Sequence, residues 1–438
     1  MTSPPAVRPD TSAVVVVGAG LAGGRTCAEL RAQGYDGRIV LLGAEALPPY
    51  DRPPLSKREV GGTVGPPDHL GLDLGDLEVD FRPLMRATSL SGASLAADEQ
   101  LVVGTPQADL PADAVVVASG AVAVVPLGWG LGPRVHVLRS HDDAVAWSAA
   151  VAALERQASV IVLGGSWIGL EAAASLAASG RRVTIMEQSA WLLPALPPEV
   201  GRQVREWAED AGVDVLLGAP ATALQADSDG VTVTTATREL RAALVLVALG
   251  AVPDTGWLQT SGLRRSPRAG ALRTDASLRT ADPRVVALGD AAERWSPRYD
   301  DWLPGGHWQD AFDAPAVAAA SVVAVLAGQR TRVTYDAVPY FWSEMFGHML
   351  QWTGWLPDYR QATMVRRGRA QDWTFGWLSG GGLAALLACD RPRDAMAARK
   401  AQSATPSGAP HVSAELFVDP EVPLKRALAP PVAEGGGG

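Results

Sequence analysis

A β-branched run, Ala13–Val17, leads directly into Gly18-x-Gly20-x-x-Gly23. A helical stretch follows to about Gln33, and then a second apolar strand at Arg38–Leu42. Strand, glycine turn, helix, strand is the grammar of a βαβ unit. The same order returns at Val160–Leu163, Gly164-Gly-Ser-Trp-Ile-Gly169, a helix of small residues to Ser179, and Val183–Met186 ending at Glu187. A chain that writes this unit twice is expected to build two Rossmann-like α/β domains and to hold two nucleotides.

The physical reason lies in the turn. A pyrophosphate must sit against backbone N–H groups at a helix N-terminus, where the dipole favours negative charge. Gly18 allows the tight turn, Gly20 the close approach, and Gly23 the packing of helix on strand. In the second turn Gly164, Gly165, Ile168 and Gly169 take these places, and Ser166 stands where the middle glycine is expected. Its hydroxyl could donate to the phosphate while its Cβ crowds it. Glu187, at the strand end, is the candidate acceptor for an adenosine 2′-OH and would repel a 2′-phosphate, which favours NADH over NADPH. In the first unit the corresponding acid is displaced to Glu45, which reads equally well as a solvated loop carboxylate.

Further strands are expected at Leu101–Val103, Ala114–Ala118 and Arg284–Leu288, and a further sheet from Val213–Leu217, Val231–Thr235 and Leu244–Leu249. A helix should cover about Ala314–Ala327. From Tyr340 the texture changes to alternating aromatics, with Trp342, Trp352, Trp355, Trp373 and Trp377, which reads as a separate C-terminal α+β domain. The expected division is 1–124 and 251–330 for the first nucleotide domain, 125–250 for the second, and 331–438 for the C-terminal domain with a flexible tail.

The charge balance is Lys+Arg 38 against Asp+Glu 47, a net −9, which argues against nucleic acid as a partner. The two cysteines, Cys27 and Cys389, exclude a disulfide framework and a Cys-x-x-Cys redox pair. No secretory h-region precedes the first strand, and apolar runs such as Ala242–Leu249 are too short to span a bilayer, so the expected compartment is the cytosol. No metal site is expected.

Pro49-Tyr-Asp-Arg-Pro-Pro-Leu-Ser-Lys57 is the third constellation, since paired prolines stiffen the backbone ahead of Lys57. Together with the two glycine turns, Ile168-Gly-Leu-Glu171, Ala287-Leu-Gly-Asp290, His307-Trp308, Phe341-Trp-Ser343 and Val422-Pro-Leu-Lys425, this order resembles the FAD-dependent ferredoxin reductases of the putidaredoxin reductase type, which include reductase components of bacterial dioxygenases. The resemblance covers nearly the whole chain.

That resemblance implies a two-nucleotide layout like that of glutathione reductase plus a C-terminal domain, and an enzyme that takes hydride from NADH to FAD and passes single electrons to an iron–sulfur ferredoxin serving an oxygenase. It also implies site roles. Gly18, Gly20, Ala22 and Gly23 would hold the FAD pyrophosphate, and Ala87 would contact the adenosine half. Arg52 and Lys57 would lie along the flavin. Arg139 belongs to the family's Leu-Arg-x-x-Asp-Asp segment, Asp290 would bind the ribityl chain, and Trp308 would cover the flavin's far end. Glu171 would lie near Lys57. Lys57 and Glu171 are the candidate catalytic residues. The chain departs from the family at Ala44, Val122, Ala123, Ser166 and Trp167, which bears on NADH affinity more than on FAD binding. An acidic ferredoxin needs a local positive face, and Arg366, Arg367 and Arg369 form the densest basic cluster, which also reads as a solvated loop. The alternatives are an NADH oxidase-like or biosynthetic flavoprotein reductase and, from another class, a flavin-binding redox sensor. His69 and His141 are read as surface or helix-end residues, and His307 is left without an acid–base role.

Overall fold

Residues 13–57, 64–65, 67, 70–267 and 269–428 are described by the computed structural model. His69, the first decapeptide and the glycine-rich end lie outside the described residues. The described chain divides into two units, one of 13–53, 65–122 and 251–336, the other of 54–57, 64, 123–250 and 337–428. The Pro-rich segment is thus split after Pro53.

The first unit is built on a five-stranded parallel sheet in the order Val285–Ala287, Ala114–Val117, Ala13–Val17, Arg38–Leu42, Val79–Arg82. Ala13–Val17 lies near the middle, pairing Val15 with Val40 on one side and with Val115 on the other. Every residue of that strand is buried, as a parallel sheet covered on both faces requires. Leu101–Gly104 does not join it. That strand pairs antiparallel with Ser89–Ser91 and Asp109–Ala112, and its Leu101 and Val103 pack against Val15, Val17 and Ala87.

Among the described residues one stretch, Trp308–Leu326, is long and apolar enough to cross a membrane by length and composition. It consists of two helices, Trp308–Asp313 and Pro315–Leu326, and the second buries Val317, Ala318 and Val322. Gln33 ties its start to the first helix through a 2.8 Å bond from Nε2 to the Ala316 carbonyl.

The second unit repeats the plan. Its parallel sheet runs Asp214–Leu216, Arg182–Met186, Ser159–Leu163, Leu244–Val247, Val135–His136. The single further sheet expected from three strands is in fact two. Asp214–Leu216 and Leu244–Val247 extend the parallel sheet, while Val231–Thr234 is the middle of an antiparallel meander with Ala223–Ala226 and Glu239–Ala242. Short apolar strands carry no label of direction, so periodicity alone could not separate them.

The C-terminal part is a five-stranded antiparallel sheet, Tyr340–Met345, His348–Gly354, Gly382–Cys389, Trp373–Ser379, Thr363–Gly368. All eight residues of the central strand Gly382–Cys389 are buried. Leu386 and Ala388 face Phe417, Leu424 and Ala427 of the terminal helices. Ala385, Leu387 and Cys389 join the core that contains Trp147, Leu170 and Trp207. Both faces are covered, which is why this strand shows no polar alternation.

Strand alternation also corrects the basic cluster. On Thr363–Gly368, Arg366 is exposed but Arg367 is buried. Arg367 Nη2 donates to the Val422 carbonyl at 2.6 Å, and Nε lies 3.4 Å from Asp394. Burial lowers the Arg367 pKa, and the Asp394 charge opposes that. Arg367 therefore anchors the terminal helices and is absent from the surface patch.

In the first unit, Asp282 is fully buried and accepts from Arg284 Nη2 at 2.7 Å, Arg284 Nε at 3.1 Å and the backbone N–H groups of Ser94 and Arg284. Burial alone would raise its pKa, but the Arg284 guanidinium and the two N–H groups outweigh burial and hold the carboxyl below its ordinary value. A depressed folded value stabilises above the unfolded carboxyl pKa of about 4 and is lost as pH falls through the folded one. Asp282→Asn is expected to cost about 1–3 kcal/mol at neutral pH, and the gap from wild type should narrow below about pH 4. Calorimetric melts across pH check this.

Candidate functional site

The first glycine turn leaves no room for side chains on its inner face. Gly18 has φ +112, and a Cβ there would meet the Ala118 carbonyl oxygen at 2.1 Å. A Cβ at Gly23 would meet the Gly18 carbonyl oxygen at 1.9 Å. Gly20 is different, because nothing lies within 4 Å of a Cβ built there. The turn is packed against its own sheet and open at Gly20, the side from which a phosphate would come. Gly20 is the N-cap of helix Leu21–Ala32 and no side chain caps that helix. By contrast, Ser140 and Asp143 cap helix His141–Ala152 as a capping box. The open space and the uncapped N-terminus suit a dinucleotide phosphate.

Three sequence-distant segments converge on this helix. A Cβ at Gly24 would lie 2.7 Å from the Pro49 ring, so Gly24 lets the Pro-rich segment lie against the helix. A Cβ at Gly289, whose φ is +64, would lie 3.5 Å from the Ala22 methyl, so this segment brings Asp290 to the same end. Helix Trp308–Asp313 docks through Arg25, whose guanidinium sits 3.8 Å over the Phe312 ring and whose Nε donates to the Phe312 carbonyl at 2.9 Å. Trp308 stacks on Phe312 and donates from Nε1 to Asp51 at 2.6 Å. The unit thus gathers Gly18, Gly20, Ala22, Gly23, Arg52, Asp290 and Trp308.

Arg52 is held by Glu45, with Nη2 to Oε1 at 2.5 Å, and by the Tyr50 hydroxyl at 3.0 Å. Tyr50 in turn donates to Glu45 Oε2 at 2.7 Å. Burial would lower the Arg52 pKa, but Tyr50, Glu45 and Asp290 outweigh it and raise the value, so the guanidinium stays cationic. Both Glu45 oxygens are turned to these partners. Ala87 is buried in the core beside Leu101 and Val103. His307 is the N-cap of helix Trp308–Asp313, and burial lowers its pKa against the opposing charges of Asp310 and Asp290, which keeps the ring neutral.

The second turn, in the other unit, has the same construction. Gly164 has φ +110 and a Cβ there would meet the Ala248 carbonyl oxygen at 2.3 Å, while one at Gly169 would meet the Gly164 oxygen at 2.1 Å. Ser166 is the N-cap of helix Trp167–Ala178, and its hydroxyl makes no capping bond. Glu187 is 5% exposed. Its Oε2 accepts the Gly165 N–H at 2.8 Å and its Oε1 the Ser189 N–H at 2.7 Å. The carboxylate therefore first ties the turn to the loop after its strand. Ile168 is exposed beside it, and Trp167 packs edge-on to Phe341 at 5.1 Å. Arg139 immediately precedes N-cap Ser140 in this unit, and its backbone N–H donates to Asp143 at 3.1 Å. His141 is at the start of that helix, as expected.

The Lys57 and Glu171 side chains meet in this second unit. Lys57 Nζ lies 2.5 Å from Glu171 Oε1, and the Glu171 side chain is 3% exposed. The hydroxyls of Ser343 and Ser56 donate to the same carboxylate, on Oε1 and Oε2, each at 2.5 Å. Three donors from two segments, the helix Pro54–Lys57 and the strand that carries Ser343, keep a buried charge satisfied. Tyr50, Asp51, Ser56 and Ser343 stand inside the sequence motifs without a role of their own there, and Gly24 has no sequence signal. Ser343 is 172 positions from its partner, a distance over which no local pattern signals a contact.

The family model described as pyridine nucleotide-disulphide oxidoreductase matches residues 12–312, and that described as reductase C-terminal matches 340–428. The chain is 32% identical over 421 residues to the anthranilate 1,2-dioxygenase system ferredoxin–NAD(+) reductase component of Burkholderia cepacia, covering 94% of this chain and 98% of that one. Among solved structures it resembles Fdr9, at 32% identity and TM-score 0.82, covering 96% and 100% of the two chains. It also resembles the covalent putidaredoxin reductase–putidaredoxin complex, at 25% identity and TM-score 0.82, covering 95% and 98%. The duplicated glycine turns, the sheet that follows them and these matches agree, and the chain belongs to the pyridine nucleotide-disulphide oxidoreductase family, in the ferredoxin reductase branch that carries the reductase C-terminal domain.

Proposed function

We propose that this protein is an FAD-dependent NADH:ferredoxin oxidoreductase, taking hydride from NADH and delivering single electrons to an iron–sulfur ferredoxin that feeds an oxygenase. The observation that carries the reading is the pair of uncapped helix N-termini behind glycine turns, each so close to its own sheet that a Cβ at the first glycine would come within 2.1 or 2.3 Å of a carbonyl oxygen. FAD, when bound, supplies the hydride-accepting and one-electron-donating chemistry. Gly20, Ala22 and Gly23 would present backbone N–H groups to its pyrophosphate, Gly18 would hold the turn, its own N–H donating to the Leu42 carbonyl at 2.9 Å, and Asp290 would accept from the ribityl hydroxyls. Ala87 stands toward the adenosine half, and Arg139 joins from the Leu-Arg-x-x-Asp-Asp segment. Trp308 and Arg52 bound the site, with Glu45 acting to aim Arg52. Gly164, Gly165, Ile168 and Gly169 receive NADH. Glu187 keeps spare lone pairs on both oxygens for the 2′-OH, and NADPH is disfavoured because a phosphate would meet a carboxylate already fixed in place.

Lys57 gives positive charge to the flavin, and Glu171 holds that ammonium at a fixed position. No dithiol takes part. The only two cysteines are buried, and burial pushes the Cys27 thiol up to about 12. Free buried thiols also support a cytosolic setting. Arg366 and Arg369 remain exposed near the end of Thr363–Gly368, and they are the proposed contacts for an acidic ferredoxin.

Gly20→Val should fold with an unchanged apoprotein melt, because its Cβ meets open space, yet lose FAD on gel filtration. Retention of a full flavin spectrum would count against the cradle. Lys57→Met should keep FAD and slow flavin bleaching by NADH about 10²-fold in stopped flow. Reversing Arg366 and Arg369 to Glu should raise the ferredoxin KM several-fold and flatten its salt dependence while ferricyanide reduction holds. Unaltered ferredoxin kinetics would remove that face from the proposal.

A further inference from the structure

Away from both glycine turns, three metal-ligating side chains meet at one end of the C-terminal sheet. The Nδ1 of His348, the Sγ of Cys389 and a carboxylate oxygen of Asp390 all lie within 4.8 Å of one another. His348 Nδ1 is 2.7 Å from Asp390 Oδ2, and Cys389 Sγ is 3.8 Å from the same oxygen. The Gln371 carbonyl oxygen stands 3.5 Å from the sulfur.

The backbone makes this meeting specific. Leu350 pairs with Cys389, so His348, two residues earlier, shares the face of the thiol. Neighbours along a strand point to opposite faces, and Asp390 would ordinarily turn away from Cys389. It does not, because Asp390 adopts φ +54, in the left-handed region that residues other than glycine rarely enter. Its Oδ1 accepts the Met349 N–H at 2.8 Å, which leaves Oδ2 directed at His348 and Cys389. Behind the group, the His348 ring stacks on Trp207 of helix Pro198–Asp210 at 4.1 Å. The thiol is buried, while His348 and Asp390 reach solvent, so an ion has a path in and a soft donor at the bottom.

We propose that His348, Cys389 and Asp390 form a binding site for a borderline-soft divalent cation, with Zn²⁺ as the best match, and with the Gln371 carbonyl or water as fourth ligand. One imidazole, one thiolate and one carboxylate are ligand types that zinc accepts in a tetrahedral shell. Bond lengths of about 2.0–2.3 Å put ligand atoms roughly 3.3–3.7 Å apart, so the His–Asp pair must open slightly and the sulfur move inward. The bound ion would lock the start of strand His348–Gly354 onto the end of strand Gly382–Cys389 and, through the stacked imidazole, onto the Trp207 helix. The role is structural and involves no electron transfer.

The test uses the full FAD-loaded chain, stripped with chelator, and Zn²⁺ alone as probe. Competition against a chromophoric chelator should show one equivalent bound, Zn²⁺ should raise the melting temperature, and X-ray absorption should show one sulfur and one imidazole scatterer. Cys389→Ser and His348→Gln should each weaken binding by at least about tenfold while keeping the flavin spectrum. If Cys389→Ser does not fold, His348→Gln and Asp390→Asn carry the comparison. A Zn²⁺ affinity equal in wild type and in the variants, or an absorption spectrum without sulfur, would overturn the site.

Discussion

Each nucleotide turn depends on a contact that only glycine permits. At Gly18 and Gly164 the backbone passes so close to the neighbouring strand that a Cβ would overlap a carbonyl oxygen, at 2.1 and 2.3 Å. Gly23 and Gly169 repeat the condition one helical turn later. These approaches fix where each helix begins relative to its sheet, and so where its unpaired N–H groups point. The helices are left without side-chain caps, an unfavourable end for a helix unless an anion completes it. The fold and the ligand chemistry therefore share one constraint.

The second organising feature is electrostatic. Each unit surrounds a carboxylate with donors, buried at Glu171 and half-buried at Glu45. Glu171 takes Lys57, Ser56 and Ser343, and Glu45 takes Arg52 and Tyr50. In both cases the acid holds a cation at a defined position. Glu187 follows the same logic with backbone N–H groups as donors. A buried charge that is fully satisfied is also a rigid one. The same economy appears at Arg367, where a strand position read as surface charge becomes an internal tie to the terminal helices.

The chain's two βαβ units were legible from sequence because local rules write them: β-branched strands, glycine at the turn, small residues in the helix. Their boundaries in the structure, Ala13–Val17 with Leu21–Ala32 and Ser159–Leu163 with Trp167–Ala178, follow that pattern closely. The change of texture after Tyr340 likewise marks an antiparallel sheet with helices. What the pattern could not contain was strand direction, so Val231–Thr234 and Leu244–Val247 looked alike although they belong to different sheets. The apolar stretch Trp308–Leu326 was similarly ambiguous, since a core helix and a membrane span share a composition.

Sequence by itself determined the chemistry available to this protein: two glycine turns that each open a helix, one lysine behind a stiff proline pair, and no Cys-x-x-Cys pair for a dithiol relay. Those properties are local or are simple counts. Only the tertiary structure decided which polar groups are partners. Ser343 meets Glu171, Asp51 meets Trp308, and His348 meets Cys389 and Asp390 across distances in the chain that leave no periodic trace. Such pairings arise because a buried polar group must find a partner somewhere in the packed interior, and packing, not proximity in sequence, sets which one it finds.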